Sequence, residues 1–155
     1  MSINKVQLRE GIREVLKMLE PTIRYTQEAE DLLMLTAAVE SDLGRYLVQR
    51  GGGPALGIFQ MEPNTHDDIY DNFLKFRPTI MATVLKFATP QEGTFDLQYN
   101  LAYQIVMCRV HYLRVPQSIP KTLTAQAEYW KRHYNTFSGK GATKKAEQKY
   151  LEYAV

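Results

Sequence analysis

Glu40 is the residue of this chain best placed to do chemistry. Ala29, Leu32, Leu33, Thr36 and Ala37 recur at helical spacing, and Glu40 continues their stripe. The other faces of the same segment carry Met34, Leu35, Ala38 and Val39, so the predicted helix is apolar nearly all round and has to be buried. A carboxyl at its end is partly desolvated, and burial raises its pKa because the charged form loses water. The negative end of the helix dipole acts in the same direction. Glycoside cleavage needs such a group: a glutamic acid that keeps its proton near neutral pH donates it to the leaving oxygen as positive charge develops on the sugar. Position alone leaves two readings open, a helix-end glutamate held by water or a salt bridge, and a proton donor.

The residues that follow bear on that choice. Glu40-Ser41 precedes a glycine-rich stretch with Gly44, Gly51, Gly52 and Gly53, then Gly57-Ile58-Phe59-Gln60-Met61-Glu62-Pro63-Asn64-Thr65. Glycines there would let backbone approach a ligand closely. Gln60 offers a donor and an acceptor to sugar hydroxyls or an acetamido group, or bonds its own loop backbone. Phe59 and Met61 suit the core beneath a cleft, and Thr65 suits a helix cap. This pattern resembles the soluble lytic transglycosylase and goose-type lysozyme group of the lysozyme superfamily. That group carries Glu-Ser, a loop, then Gly-(Leu/Ile)-(Met/Phe)-Gln-x-x-Pro-x-Thr, matched here at Gly57, Ile58, Phe59, Gln60, Pro63 and Thr65. The motifs span about 26 residues.

The resemblance implies further site residues. Glu40 would be the catalytic acid/base, with Ser41, Gly57 and Gln60 at the substrate. The group also has Ala-x-x-Ala-Tyr-Asn-x-Gly near its cleft, whose centre is similar to Tyr134-Asn135. Tyr134 would then steady the proton of Glu40 or the substrate; as a plain residue it is a core tyrosine with a bonded hydroxyl. Trp130 and His133 stand where that motif has alanines, and Phe137 where it has glycine. Asn100-Leu101 is weakly similar to an Asn-apolar pair on a long family helix. Gly51 falls near a loop serine of many members, so another group supplies that hydrogen bond or the loop is built differently.

Elements around Glu40 have to position these groups. The spacing of Leu8, Ile12, Val15, Leu16 and Leu19 predicts a helix over 3–20, stopped by Pro21. Thr26 is the expected N-cap of the central helix. Residues 41–62 predict a loop with a short hairpin. Thr65 with Asp68 resembles a capping box for a helix to about Leu74. Pro78 opens another, ended near Pro90. Periodicity over 95–114 predicts one long helix, with others over Leu123–His133 and after the Gly139–Gly141 turn. The expected fold is mainly α, a lysozyme-like α+β domain over 1–155 whose buried central helix ends at the catalytic glutamate.

Composition sets limits on the rest. The chain has 155 residues with 45% hydrophobic and 23% charged, which suits one soluble domain. A net charge of +2 is too small to argue for nucleic acid. The lone Cys108 sits in an apolar run and reads as a buried small hydrophobe, although His111 follows three residues on. His66, His111 and His133 form no metal motif, and no cofactor is expected. Lys140, Lys144, Lys145 and Lys149 read as a solvated face, or as an attraction to anionic wall or lipid. Charges interrupt the N-terminal sequence, so no signal peptide and no stable membrane insertion are expected.

The expected function is therefore cleavage of the bond between N-acetylmuramic acid and N-acetylglucosamine in peptidoglycan. A hydrolase needs a second carboxylate, for which Asp42, Glu62, Asp67 and Asp68 are the candidates. A lytic transglycosylase needs none, because the muramic acid 6-hydroxyl attacks. With no compelling second carboxylate, the sequence leans to the transglycosylase. The alternatives are a hydrolytic muramidase and a catalytically inactive virion structural protein of the same fold. The minimal form resembles a bacteriophage endolysin made in the host cytoplasm, acting on the wall after release or from the virion, with other virion proteins as further partners.

Overall fold

The central helix owes its position to a sequence that leaves it no polar side. In the computed structural model, which describes residues 1–91, 94–136, 139 and 141–155, α1 spans Lys5–Met18 and α2 spans Gln27–Ser41. Thr26 caps α2 in extended backbone, its hydroxyl accepting from Ala29 N at 3.1 Å. Glu28 and Glu30 sit in the first turn, where acids complement the helix dipole. Every residue from Leu32 to Ala38 is fully buried.

Four helices enclose α2: α1, α6 (Leu101–Leu113), α7 (Leu123–His133) and α8 (Ala142–Tyr153). α1 contributes Leu8, Ile12, Val15 and Leu16 from one face, capped by Asn4. The wholly buried Glu30 is matched by Arg9 at 2.8 Å and Arg13 at 2.7 Å, and it also accepts from Tyr25 and Gln27. This is how a charge enters an otherwise apolar helix: every oxygen has donors.

Residues 42–62 leave α2 through two left-handed residues, Asp42 and Leu43, with Leu43 N bonded to Ala37 O at 3.0 Å. The expected hairpin is reduced to isolated antiparallel bridges, Val48 with Leu56 and Leu56 with Met61, and no strand forms among the described residues. α3 (Pro63–Asn72) begins with Pro63 in its first turn, not with Thr65 as cap. Pro63 has its φ preset for a helix and lacks an N–H that would go unpaired there, so the helix starts three residues earlier than a cap at Thr65 would set it. A 3-10 turn over Leu74–Phe76 and α4 (Pro78–Leu85) follow.

The single long helix expected over 95–114 is two, α5 (Phe95–Tyr99) and α6. Asn100 leaves helical backbone at φ −96°, ψ 95°, accepts from Tyr103 N at 3.1 Å and donates to Phe87 O at 2.8 Å. Apolar spacing continues across the break because both pieces face the same core, so periodicity alone does not reveal it. Asn100 is thus a helix cap. The mainly α class is as expected, while Phe137 and Lys140 lie outside the described residues. Among those residues, no helix is long and apolar enough to cross a membrane.

Candidate active site

Glu40 emerges half-buried in the last turn of α2, at the wall of a cleft of about 690 Å³. One side of the cleft is the loop after α2, through Tyr46, Gln49, Arg50 and Gln60. α3 also lines it, through Asn64, Thr65 and Asp68. The rest of the lining comes from α6 and the end of α7, through His111, Arg114, His133, Tyr134 and Asn135. This volume accommodates a ligand of several rings' size.

The carboxyl of Glu40 is held from one side. Trp130 Nε1 donates to Oε1 at 2.9 Å, and Asn135 Nδ2 donates to the same oxygen at 3.3 Å. Burial pushes the pKa of Glu40 up to about 7. The bonds from Trp130 and Asn135 and the charge of Lys149 pull the other way without offsetting it. Glu40 therefore carries its proton up to neutral pH and can still release it, the condition for a group that must both give and take a proton.

The other expected site residues take different stations. Gln60, at φ +48°, lines the cleft, but its Nε2 donates to Gly57 O at 2.9 Å, so its amide nitrogen is tied to its own loop. Gly57 packs away from the cleft: a Cβ there would collide with the carbonyl of Leu97 and the side-chain oxygen of Gln104. Ser41 is wholly buried. Its hydroxyl donates to Ile58 O at 2.7 Å and accepts from Gly44 N at 2.8 Å. Placed there, Ser41 ties the loop to the helix and cannot reach a ligand, which corrects its expected place at the substrate. Gly57 is corrected in the same way, because its contacts are with α5 and α6. Thr65 faces the cleft from inside α3.

Tyr134 and Asn135 divide the role expected of the tyrosine. Tyr134 donates its hydroxyl to Phe59 O at 2.6 Å and stacks on His111 at 4.6 Å between centroids. It joins α7 to the loop and makes no hydrogen bond to Glu40. Asn135 makes that contact instead, and Trp130 makes the shorter one. In the sequence Trp130 stands out only as a departure from the family alanine. Its spacing of four before Tyr134, one helical turn, is the signal that places it on the same face.

The candidate second carboxylates sort by their partners. Asp42 bonds Lys149 Nζ at 2.6 Å, with Arg50 at 3.8 Å, and does not line the cleft. Asp67 pairs with His66 outside it. Asp68 lines the cleft but is paired with Arg114 at 2.8 Å. Glu62 lines the cleft exposed and, among the described residues, has no ion pair. Lys149 is therefore no part of a free basic face, whereas Lys144 and Lys145 are exposed.

His111 and Cys108 also find their places. Cys108 is fully buried, and burial pushes its thiol well above its usual range, so it is a core residue and no nucleophile. Burial and the nearby Arg114 bring His111 down to about 4, leaving a neutral imidazole on the cleft wall. Among the described residues, no group of three His, Cys, Asp or Glu side chains is placed to hold a metal ion. No known protein family matches the chain, and neither a curated protein nor a solved structure matches it significantly.

Proposed function

We propose that this domain cleaves peptidoglycan glycan strands between N-acetylmuramic acid and N-acetylglucosamine, as a lytic transglycosylase with Glu40 as its single acid/base. One observation carries the reading: a carboxyl that keeps its proton to about pH 7 opens on a cleft of about 690 Å³. The Glu40-Ser41 and Gly57–Thr65 pattern supports it, because Ser41 and Gly57 build the junction that sets the loop against the helix.

In the proposed reaction Glu40 gives its proton to the glycosidic oxygen, and the bond from that oxygen to the muramic acid C1 breaks. The resulting carboxylate takes the proton of the 6-hydroxyl of the same sugar, whose oxygen bonds C1 to close a 1,6-anhydro ring. No water is consumed, and Glu40 ends as it began, protonated. A second reading, hydrolysis, is favoured by one feature: Glu62 lines the cleft exposed and, among the described residues, in no ion pair, where it could hold a water. The setting this function implies is that of a bacteriophage lysin, released to the wall or carried in the virion.

The test is turbidity clearing of permeabilised bacteria by the wild type and by Glu40→Gln. Clearing by the wild type and a loss of about a thousandfold or more in the variant is expected. Equal clearing by both proteins would sink the assignment.

A further inference from the structure

Two donors converge on one oxygen of Glu40, and the other oxygen is left to the cleft. Oε1 accepts from Trp130 Nε1 and Asn135 Nδ2, whereas Oε2 has no partner among the described residues. Oε2 is not sealed in either: His111 Nδ1 is the sole buried side-chain nitrogen or oxygen left unbonded among them. A neutral carboxyl has one carbonyl oxygen, a good acceptor, and one hydroxyl oxygen, a poorer one. An oxygen that accepts two hydrogen bonds is the carbonyl oxygen, and the proton sits on its neighbour.

We infer that Trp130 is a positioning residue, its indole N–H with the Asn135 amide fixing the acidic proton of Glu40 on Oε2, the oxygen that faces the cleft. The inference rests on the proposed acid/base role of Glu40 for its meaning in catalysis, but the placement stands on geometry alone. Trp130 is itself 3% exposed and held in the core between α7 and its neighbours, so its N–H is rigidly aimed. Rigid donors remove the rotation that would otherwise turn the proton away from a substrate oxygen. The charged and titratable groups around the carboxyl are Lys149 from α8, Cys108 and Tyr112 from α6, and Tyr134 after α7. Burial holds Cys108, Tyr112 and Tyr134 well above their usual ranges, and Lys149 is bonded to Asp42.

Trp130 is the chain's only tryptophan, which makes the contact observable. Indole emission of the wild type should change with a midpoint near pH 7 and should be flat in Glu40→Gln. Asn135→Ala should move the midpoint up, by about one pH unit, because a donor to the carboxylate is lost. Replacing Trp130 with benzothienylalanine keeps the ring shape and removes only the N–H. That protein should lose about tenfold or more in kcat on glycan strands with little change in KM, and its upper pH limb should rise by about one unit. Where the replaced ring prevents folding, the wild-type and Asn135→Ala titrations decide alone. Flat wild-type emission from pH 5 to 9, or benzothienylalanine protein with unchanged kcat and pH limb, would overturn the inference. An emission midpoint near 7 with equal clearing by Glu40→Gln would end the glycosidase reading and leave the proton placement supported.

Discussion

Glu40→Gln should stabilise the protein, and by an amount that grows with pH. Glutamine matches the neutral acid in shape and keeps a carbonyl oxygen for Trp130 and Asn135, yet it never ionises. The wild-type carboxyl has its pKa raised from an ordinary 4.5 to about 7 by burial. A group raised in the folded state contributes its stability fully below pH 4.5 and loses it as pH rises through 7. At about 1.4 kcal/mol per pH unit, the full loss is about 3 kcal/mol. Most of it falls between pH 5 and pH 8, about 2.5 kcal/mol, or about 5–10 °C in Tm for a chain of this size. Urea unfolding of both proteins at pH 5, 6, 7 and 8 measures it. The gap between variant and wild type should widen across that range, most steeply between pH 5 and pH 7 and little above it. A constant gap, or one that narrows with pH, would refute the burial argument for Glu40, whatever the activity data say. The expected pattern is that of a site whose function costs stability.

Three further outcomes follow from the same contacts. Glu30, held by Arg9 and Arg13 down to about 2, contributes stability above pH 4.5 that is lost as pH falls toward 2. Because Arg13 is partly exposed, the loss should be about 2 kcal/mol, and acid unfolding of Glu30→Gln should lack it. Gly57→Ala should cost about 3 kcal/mol or more, since φ is +77° and the new Cβ meets the Leu97 carbonyl; a denaturation midpoint within error of wild type would contradict this. Ser41→Ala should cost about 1–3 kcal/mol by freeing Gly44 N and Ile58 O, while KM for glycan strands stays constant. A raised KM at unchanged stability would return Ser41 to the substrate.

What the sequence disclosed follows from which signals are local. The run Leu32–Val39 has no polar face, so the burial of α2 was readable, as were Thr26 as its cap and the bounds of α7. Glu40 followed from the same stripe. The break at Asn100 was hidden because its cap replaces the helix bond without disturbing the apolar spacing. α3 starts before the capping pattern at Thr65 because the preset φ of Pro63 outweighs that pattern. Ser41 and Gly57 belong to the site's frame, a distinction made by burial and by contacts with Ile58 and Leu97 far along the chain. Trp130 reaches Glu40 across 90 residues of sequence, a pairing made by tertiary packing of α7 against α2.

The central claim is that the proton of Glu40 breaks a glycan strand. Mass spectrometry of the soluble fragments released from purified peptidoglycan tests it most directly. The wild type should release muropeptides ending in 1,6-anhydro-muramic acid, and Glu40→Gln should release none. Reducing ends would replace the transglycosylase with the hydrolase. No fragments from the wild type, or the same fragments from Glu40→Gln, would contradict the account.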